Sequence, residues 1–168
     1  MFAGMLFAAA FPRTAAPLRW VVAADSDTFL LLPNLINELR SRDSTAHFHS
    51  GKGVDCVIDG ATRTVVSRGP GFFLPWATFE VFRAHLRGVD IGQLVVAHPD
   101  ISDESYMSHI LTKSGHPLED NNSFFLYWPE HYPPGTNFTR ALGFHLSLRW
   151  RPGSGLSDFR KYTEMFGV

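Results

Sequence analysis

The run Trp20-Val21-Val22-Ala23-Ala24-Asp25-Ser26-Asp27-Thr28-Phe29 constrains this chain more than any other stretch. Its first five residues are mostly apolar, three of them aromatic or β-branched. They predict a buried strand that delivers two carboxylates at its C-terminal end. Open α/β sheets bind ligands at that edge. Two acids one residue apart at the mouth of such a strand can hold a divalent cation through oxygen ligands, with positions left open for phosphate oxygens. Alone, Asp25 and Asp27 also read as turn-formers, with Thr28 capping a loop.

At 168 residues and 45% hydrophobic, the chain can bury one sizeable core, which predicts a single domain over residues 1–168. A formal charge of −1 supplies no basic field and argues against nucleic acid as a partner. The fifteen Phe and four Trp are assigned mainly to core packing. Cys56 is the single cysteine, so no disulfide can form within the chain. Sequons at Asn121 and Asn137 are compatible with a secretory-pathway lumen. The opening apolar run Met1 to Phe11 lacks a basic lead and stops at Pro12-Arg13, well short of a membrane span. It reads as a buried helix packed on the sheet, in a chain that begins inside a domain.

Further along, Pro33 suits a first helical turn, and Asn34 to Arg42 places Leu35, Ile36 and Leu39 on one face. His47 and His49 share strand parity and could bind a metal, although loop histidines at a surface are the commoner case. Val54 to Ile58 and Thr64 to Ser67, joined through Asp59-Gly60-Ala61, read as a hairpin. Arg68-Gly69-Pro70-Gly71 permits either close backbone approach to a ligand or an ordinary strand-to-helix turn. A helix follows from Pro75, with a Trp76, Phe79, Phe82 and Leu86 stripe and Gly88 past its end. Gln93 to Ala97 is strand-like. Ser102 caps the next helix, Gly115 ends it, and Tyr106, Ile110 and Leu111 form its buried stripe. Asp103 and Glu104, in its first turn, can complement the helix dipole or place a carboxylate base at a cleft edge. Ser123 to Trp128 and Leu142 to Trp150 are strand-like, with His145 on the polar side of the second, and Leu156 to Phe166 closes the chain as a short helix.

The order of these elements resembles the fringe-like and core 1 galactosyltransferase-type β-1,3-glycosyltransferases. The resemblance rests on "WVVAADSDTFLLLPNLINEL", "SRGPGFFLPWATFEVF", "DISDESYMSHILTKSG" and "GFHL", which span about Trp20 to Trp150. It implies an α/β fold of the A type of nucleotide-sugar glycosyltransferase, a mixed sheet with flanking helices. Only Met1 to Arg19 precede the acidic strand, so most of the N-terminal nucleotide-binding half, and any membrane anchor, is expected to be missing from this chain. By the same resemblance, the activity is UDP-sugar-dependent, inverting β-1,3-transfer of galactose or N-acetylglucosamine to a glycan, with Mn²⁺ as the metal. Asp27, Asp25 and His145 match the metal-binding positions, with the two acids also serving the donor. Glu104 matches the catalytic carboxylate with Asp103 beside it, and Gly69 and Gly71 match a glycine segment near donor and acceptor.

The resemblance further implies a glycan or glycoprotein acceptor, a Golgi or ER lumen setting as a type II membrane protein when full length, and room for a homodimer. Ser26, Pro70 and Glu104 depart from the family pattern. They keep open a second reading, a non-catalytic glycan-binding or chaperone relative of the same fold. A metal-dependent hydrolase lacks a supporting ligand spacing such as H-E-x-x-H. For residues 1–168 alone, low or no transfer is expected.

Overall fold

The computed structural model describes residues 17–90, 93, 101–146 and 156–167. In chain order the strands are β1 (Trp20–Ala23), β2 (Thr28–Leu30), β3 (His49–Gly51), β4 (Gly53–Ile58), β5 (Ala61–Val66), β6 (Phe72–Pro75), β7 (Leu118–Asp120), β8 (Phe124–Phe125) and β9 (Gly143–His145). The helices are α1 (Leu32–Ser41), α2 (Trp76–His85), α3 (Asp103–Lys113) and α4 (Leu156–Phe166). The result is a mixed α/β architecture with flanking helices, in agreement with the coarse fold class expected.

The main sheet runs β1-β6-β3-β7, antiparallel except for the parallel β3–β7 pair. A second sheet runs β2-β9-β8, and β4 pairs with β5 as a hairpin. The apolar run of β6 is buried at every position. Strand alternation sends Phe72 and Leu74 into a cluster with Phe79, Phe82, Met107 and Leu111, and Phe73 into another with Leu35, Phe48, Phe124 and Leu142. The second sheet has its own aromatic core: Phe29, Trp128, Phe144 and Tyr162, with Phe125, Phe138, Phe159 and Phe166 packed against it.

Local chemistry explains several elements. The β4–β5 hairpin closes through Asp59 (φ 51°) and Gly60 (φ 73°), the two left-handed positions of a type I′ turn, and Ala61 already belongs to β5. Ser102 caps α3 by accepting a hydrogen bond from the Ser105 N–H, and Gly115 follows it at φ 82°. The helix over Leu156–Phe166 lies where its pattern places it.

Other expectations are corrected. β1 is an edge strand among the described residues, with Val22 39% exposed, rather than a buried one. In α1, Leu35 is buried and Leu39 packs partly, but Ile36 is 45% exposed, because the buried stripe follows the i, i+4 pair. In α3 the fully buried face carries Asp103, Met107 and Leu111 at i, i+4 and i+8, while Tyr106 and Ile110 lie at its margin. Trp128 leaves the predicted strand for a short 3₁₀ turn at Pro129–His131, where proline cannot extend the ladder. Gln93 is helical, and its N–H donates to Asp90 Oδ1 at 3.2 Å, a capping contact. The predicted helix over Met1–Phe11, the rest of the Gln93–Ala97 strand and the end of the last strand at Ser147–Trp150 lie outside the described residues. No helix among the described residues is long and apolar enough to cross a membrane.

Candidate metal centre

The chain leaves the main sheet after Ala23 and enters the second sheet at Thr28, and the two acids occupy the turn between. Two hydrogen bonds close that turn. The Thr28 N–H donates to the Asp25 carbonyl at 3.1 Å, and the Asp25 N–H donates to Thr28 Oγ1 at 2.9 Å. The Thr28 hydroxyl in turn donates to the Gly69 carbonyl at 2.5 Å, which ties the acidic turn to the glycine segment.

Strand register completes the arrangement. Thr28 lies opposite His145 in the antiparallel β2–β9 pair, and the Leu146 N–H donates to the Asp27 carbonyl at 2.9 Å. Phe144 and Leu146 are fully buried, so alternation turns the half-buried His145 to the other face. His145 Nε2 stands 3.5 Å from Asp27 Oδ1. One ligand-type atom each from Asp25, Asp27 and His145 lies within 4.8 Å of the others. No other group of three such residues is found among the described ones. Neighbouring ligands around an octahedral ion of this size stand about 3 Å apart, given bonds of about 2.1 Å. Two carboxylates and an imidazole spread over up to 4.8 Å would draw closer to share one ion, and the donor set suits a first-row divalent ion.

The glycine segment explains why the histidine can sit there. A Cβ on Gly69 would meet His145 Nδ1 at 2.5 Å and Cγ at 2.8 Å, so a larger residue would displace the ring. Gly71 has φ 97° and faces Leu30, Phe124 and the Ala23 carbonyl, so it starts β6 and packs on the core. A Cβ on Gly143 would overlap the Pro70 carbonyl oxygen. The Arg68–Gly71 turn is therefore seated tightly on β2 and β9.

The acidic pair of α3 approaches the same region through a residue that sequence reasoning passed over. Arg68 Nε donates to Asp25 Oδ1 at 2.6 Å, while Nη1 donates to Asp103 Oδ2 at 3.0 Å and Oδ1 at 3.2 Å. Asp103 heads the buried stripe of α3, with its side chain only 1% exposed, so its charge is matched inside the protein. Burial disfavours the Arg68 cation, but Asp103, Glu104 and Asp25 around it outweigh that and raise its pKa. The available signal was an arginine just past the buried Val65-Val66 pair at the end of β5, where a cation needs carboxylate partners.

Glu104 lies beside Asp103 with its Oε2 buried and without a hydrogen-bond partner among the described residues. Its pKa is pushed up to about 7, first by burial and then by a hydrogen bond to Asp103, against the pull of its own backbone N–H, Arg68 and Ser102. A carboxyl group poised near neutrality can accept or return a proton.

His47 and His49 do not form a metal pair, and His49 is not at the surface. His49 is fully buried in β3, where its Nδ1–H donates to the His116 carbonyl at 3.1 Å and its Nε2 accepts from the Ser108 hydroxyl at 2.7 Å. Ser108 Oγ accepts the Val66 N–H at 3.0 Å, which closes the chain of donors. His47 is exposed and meets His116 edge to face, with ring centroids 4.9 Å apart. No family model and no curated protein matches this chain.

Proposed function

We propose that this chain carries the catalytic face of a metal-dependent, inverting glycosyltransferase. It would transfer galactose or N-acetylglucosamine from a UDP-sugar to a glycan hydroxyl with β-1,3 linkage, in the Golgi or ER lumen. The reading is carried by one observation: Asp25, Asp27 and His145, from a turn and a strand far apart in sequence, present ligand atoms within 4.8 Å of one another. The family resemblance supplies the donor, the acceptor class and the linkage.

Asp25, Asp27 and His145 would hold the divalent cation, Mn²⁺ by resemblance, which when bound supplies positive charge against the departing diphosphate. Glu104 accepts the proton of the acceptor hydroxyl as its oxygen bonds to the anomeric carbon from the face opposite the diphosphate. The bond from that carbon to the diphosphate breaks, its electron pair leaves with UDP, and the configuration inverts. Asp103, gripped through both oxygens by Arg68, fixes the first turn of α3 and so positions Glu104. Holding the hydroxyl in line with the sugar carbon contributes more than raising its reactivity.

The test is UDP binding, with and without Mn²⁺, to the chain and to its Asp27→Ala variant. The proposal expects binding to require the cation and to be lost in the variant. Equal binding by both proteins, with or without Mn²⁺, defeats it. One observation favours a non-catalytic glycan-binding relative instead: Arg68 already satisfies Asp25 with a protein cation. Glycan binding indifferent to UDP and Mn²⁺ would select that alternative.

A further inference from the structure

The position of Arg68 bears on how the metal centre fills. Its side chain is 13% exposed, and it spans two carboxylates of very different exposure: Asp103, 1% exposed, and Asp25, 32% exposed. The backbone around it is held at several points. The Gly71 N–H donates to the Arg68 carbonyl at 2.7 Å, and Thr28 holds the Gly69 carbonyl. The His145 ring covers Gly69, and Gly143 is packed against Pro70. The guanidinium is therefore a fixed charge, anchored on the buried Asp103, with Nε committed to Asp25 Oδ1 at 2.6 Å.

We infer that Arg68 is a built-in counter-cation that competes with the divalent metal for Asp25, so that metal is held well only together with an anionic diphosphate. This inference rests on the reading of Asp25, Asp27 and His145 as a cation site. A metal arriving alone meets a carboxylate already neutralised and a positive charge that cannot move away. It must draw Asp25 off Arg68 or accept a like charge close by. A nucleoside diphosphate brings negative charge that satisfies both cations at once, and guanidinium is well suited to phosphate oxygens. Metal and diphosphate thus depend on each other, and Arg68 sets the strength of that dependence. It is a positioning residue for the cation site, acting through Asp25.

The experiment is titration of the chain with MnCl₂ alone and with MnCl₂ plus UDP, read by calorimetry and by the electron paramagnetic resonance of free Mn²⁺. The proteins are the wild type, Arg68→Lys, Arg68→Met and Arg68→Met/Asp103→Asn. The double variant removes the buried charge that Arg68→Met would leave beside no cation, and it carries the test if the single variant does not fold. Removal of Arg68 is expected to tighten Mn²⁺ alone at least tenfold and to shrink the enhancement given by UDP, while Arg68→Lys stays within about threefold of wild type. A merely structural role would loosen metal binding instead. Unchanged or weaker Mn²⁺ affinity in both Met-bearing variants, with wild type binding Mn²⁺ and UDP together, overturns the inference and leaves the proposed function standing. Failure of every protein to bind Mn²⁺ with or without UDP overturns both.

Discussion

His49 and His145 both lie on three-residue strands of the same molecule, and their surroundings follow opposite logic. Around His49 the protons run in one direction, from the Val66 N–H through Ser108 to the ring, and from the ring to the His116 carbonyl. Each donor has an acceptor, the ring is neutral, and burial pushes its pKa down to about 4. A closed network of this kind stabilises the native state and specifies one arrangement of β3 against α3. Around His145, Asp25 and Asp27 bring acceptor oxygens to a second ring, with Arg68 bound to Asp25 and feeling the charge of Glu104. Crowded carboxylates gain nothing from one another. The glycine turn, the Thr28 hydrogen bonds and the β2–β9 register hold such a group in place, and Arg68 supplies counter-charge to Asp25. The contrast separates a structural histidine from a candidate ligand without reference to their strands or spacing.

The largest expected effect is at Asp27. Asp27→Ala should weaken Mn²⁺-dependent UDP binding about a thousandfold, since it deletes a proposed ligand, while the urea midpoint changes little. Parallel loss of binding and stability would place Asp27 with His49 as a structural residue. Next, Glu104→Gln should lower by about a hundredfold or more whatever UDP-sugar transfer the wild type shows, and leave Mn²⁺ and UDP affinities within about twofold. Weaker nucleotide binding would show that Glu104 serves the donor rather than the acceptor.

The converse holds at His49. His49→Ala removes a fully buried ring and strands the His116 carbonyl, so urea unfolding should show a loss of about 3 kcal/mol, with Mn²⁺ affinity of the folded fraction unchanged. The two regions should also oppose each other in pH. Between pH 6.5 and about 4 the unfolded chain binds a proton at His49 that the folded one refuses, so stability falls as pH falls. Glu104 does the reverse. From its ordinary 4.5 up to about 7 the folded state holds a proton that the unfolded one has released, so stability falls as pH rises. The two slopes cancel between pH 4.5 and 6.5. In Glu104→Gln the His49 slope should emerge, at most about 1.4 kcal/mol per pH unit, in urea midpoints measured across that range. A Glu104→Gln profile parallel to wild type would show that Glu104 titrates normally. The smallest effect is expected for Gly69→Ala, whose Cβ pushes on the His145 ring and should weaken Mn²⁺ binding about tenfold by moving that imidazole off its position.

Local signals were sufficient for much of this molecule. Asp59-Gly60 marks the hairpin, Ser102 and Gly115 bracket α3, Leu156–Phe166 is helical, and the alternation through Phe144 and Leu146 assigns His145 its face. Asp25, Asp27 and His145 come together as a group through the family resemblance rather than through local signals. What the sequence hides depends on partners remote along the chain. Arg68 meets Asp25 and Asp103 across 43 and 35 residues, and His49 meets Ser108 across 59. Neither pairing leaves a periodic trace. The edge position of β1 is likewise invisible in its composition, because Trp and Val suit edge and interior strands alike. Asp103 shows the limit most plainly. A first-turn acid normally complements the helix dipole in solvent, and only the phase of Met107 and Leu111 turns this one inward.

Anomalous scattering at the manganese edge, from crystals grown with Mn²⁺ and UDP, addresses the cation site most directly. One strong peak is expected within bonding distance of Asp27 and His145, with Asp25 completing the protein ligands and the UDP diphosphate on the open side. A peak elsewhere on the molecule, or none at that position with UDP bound, contradicts it.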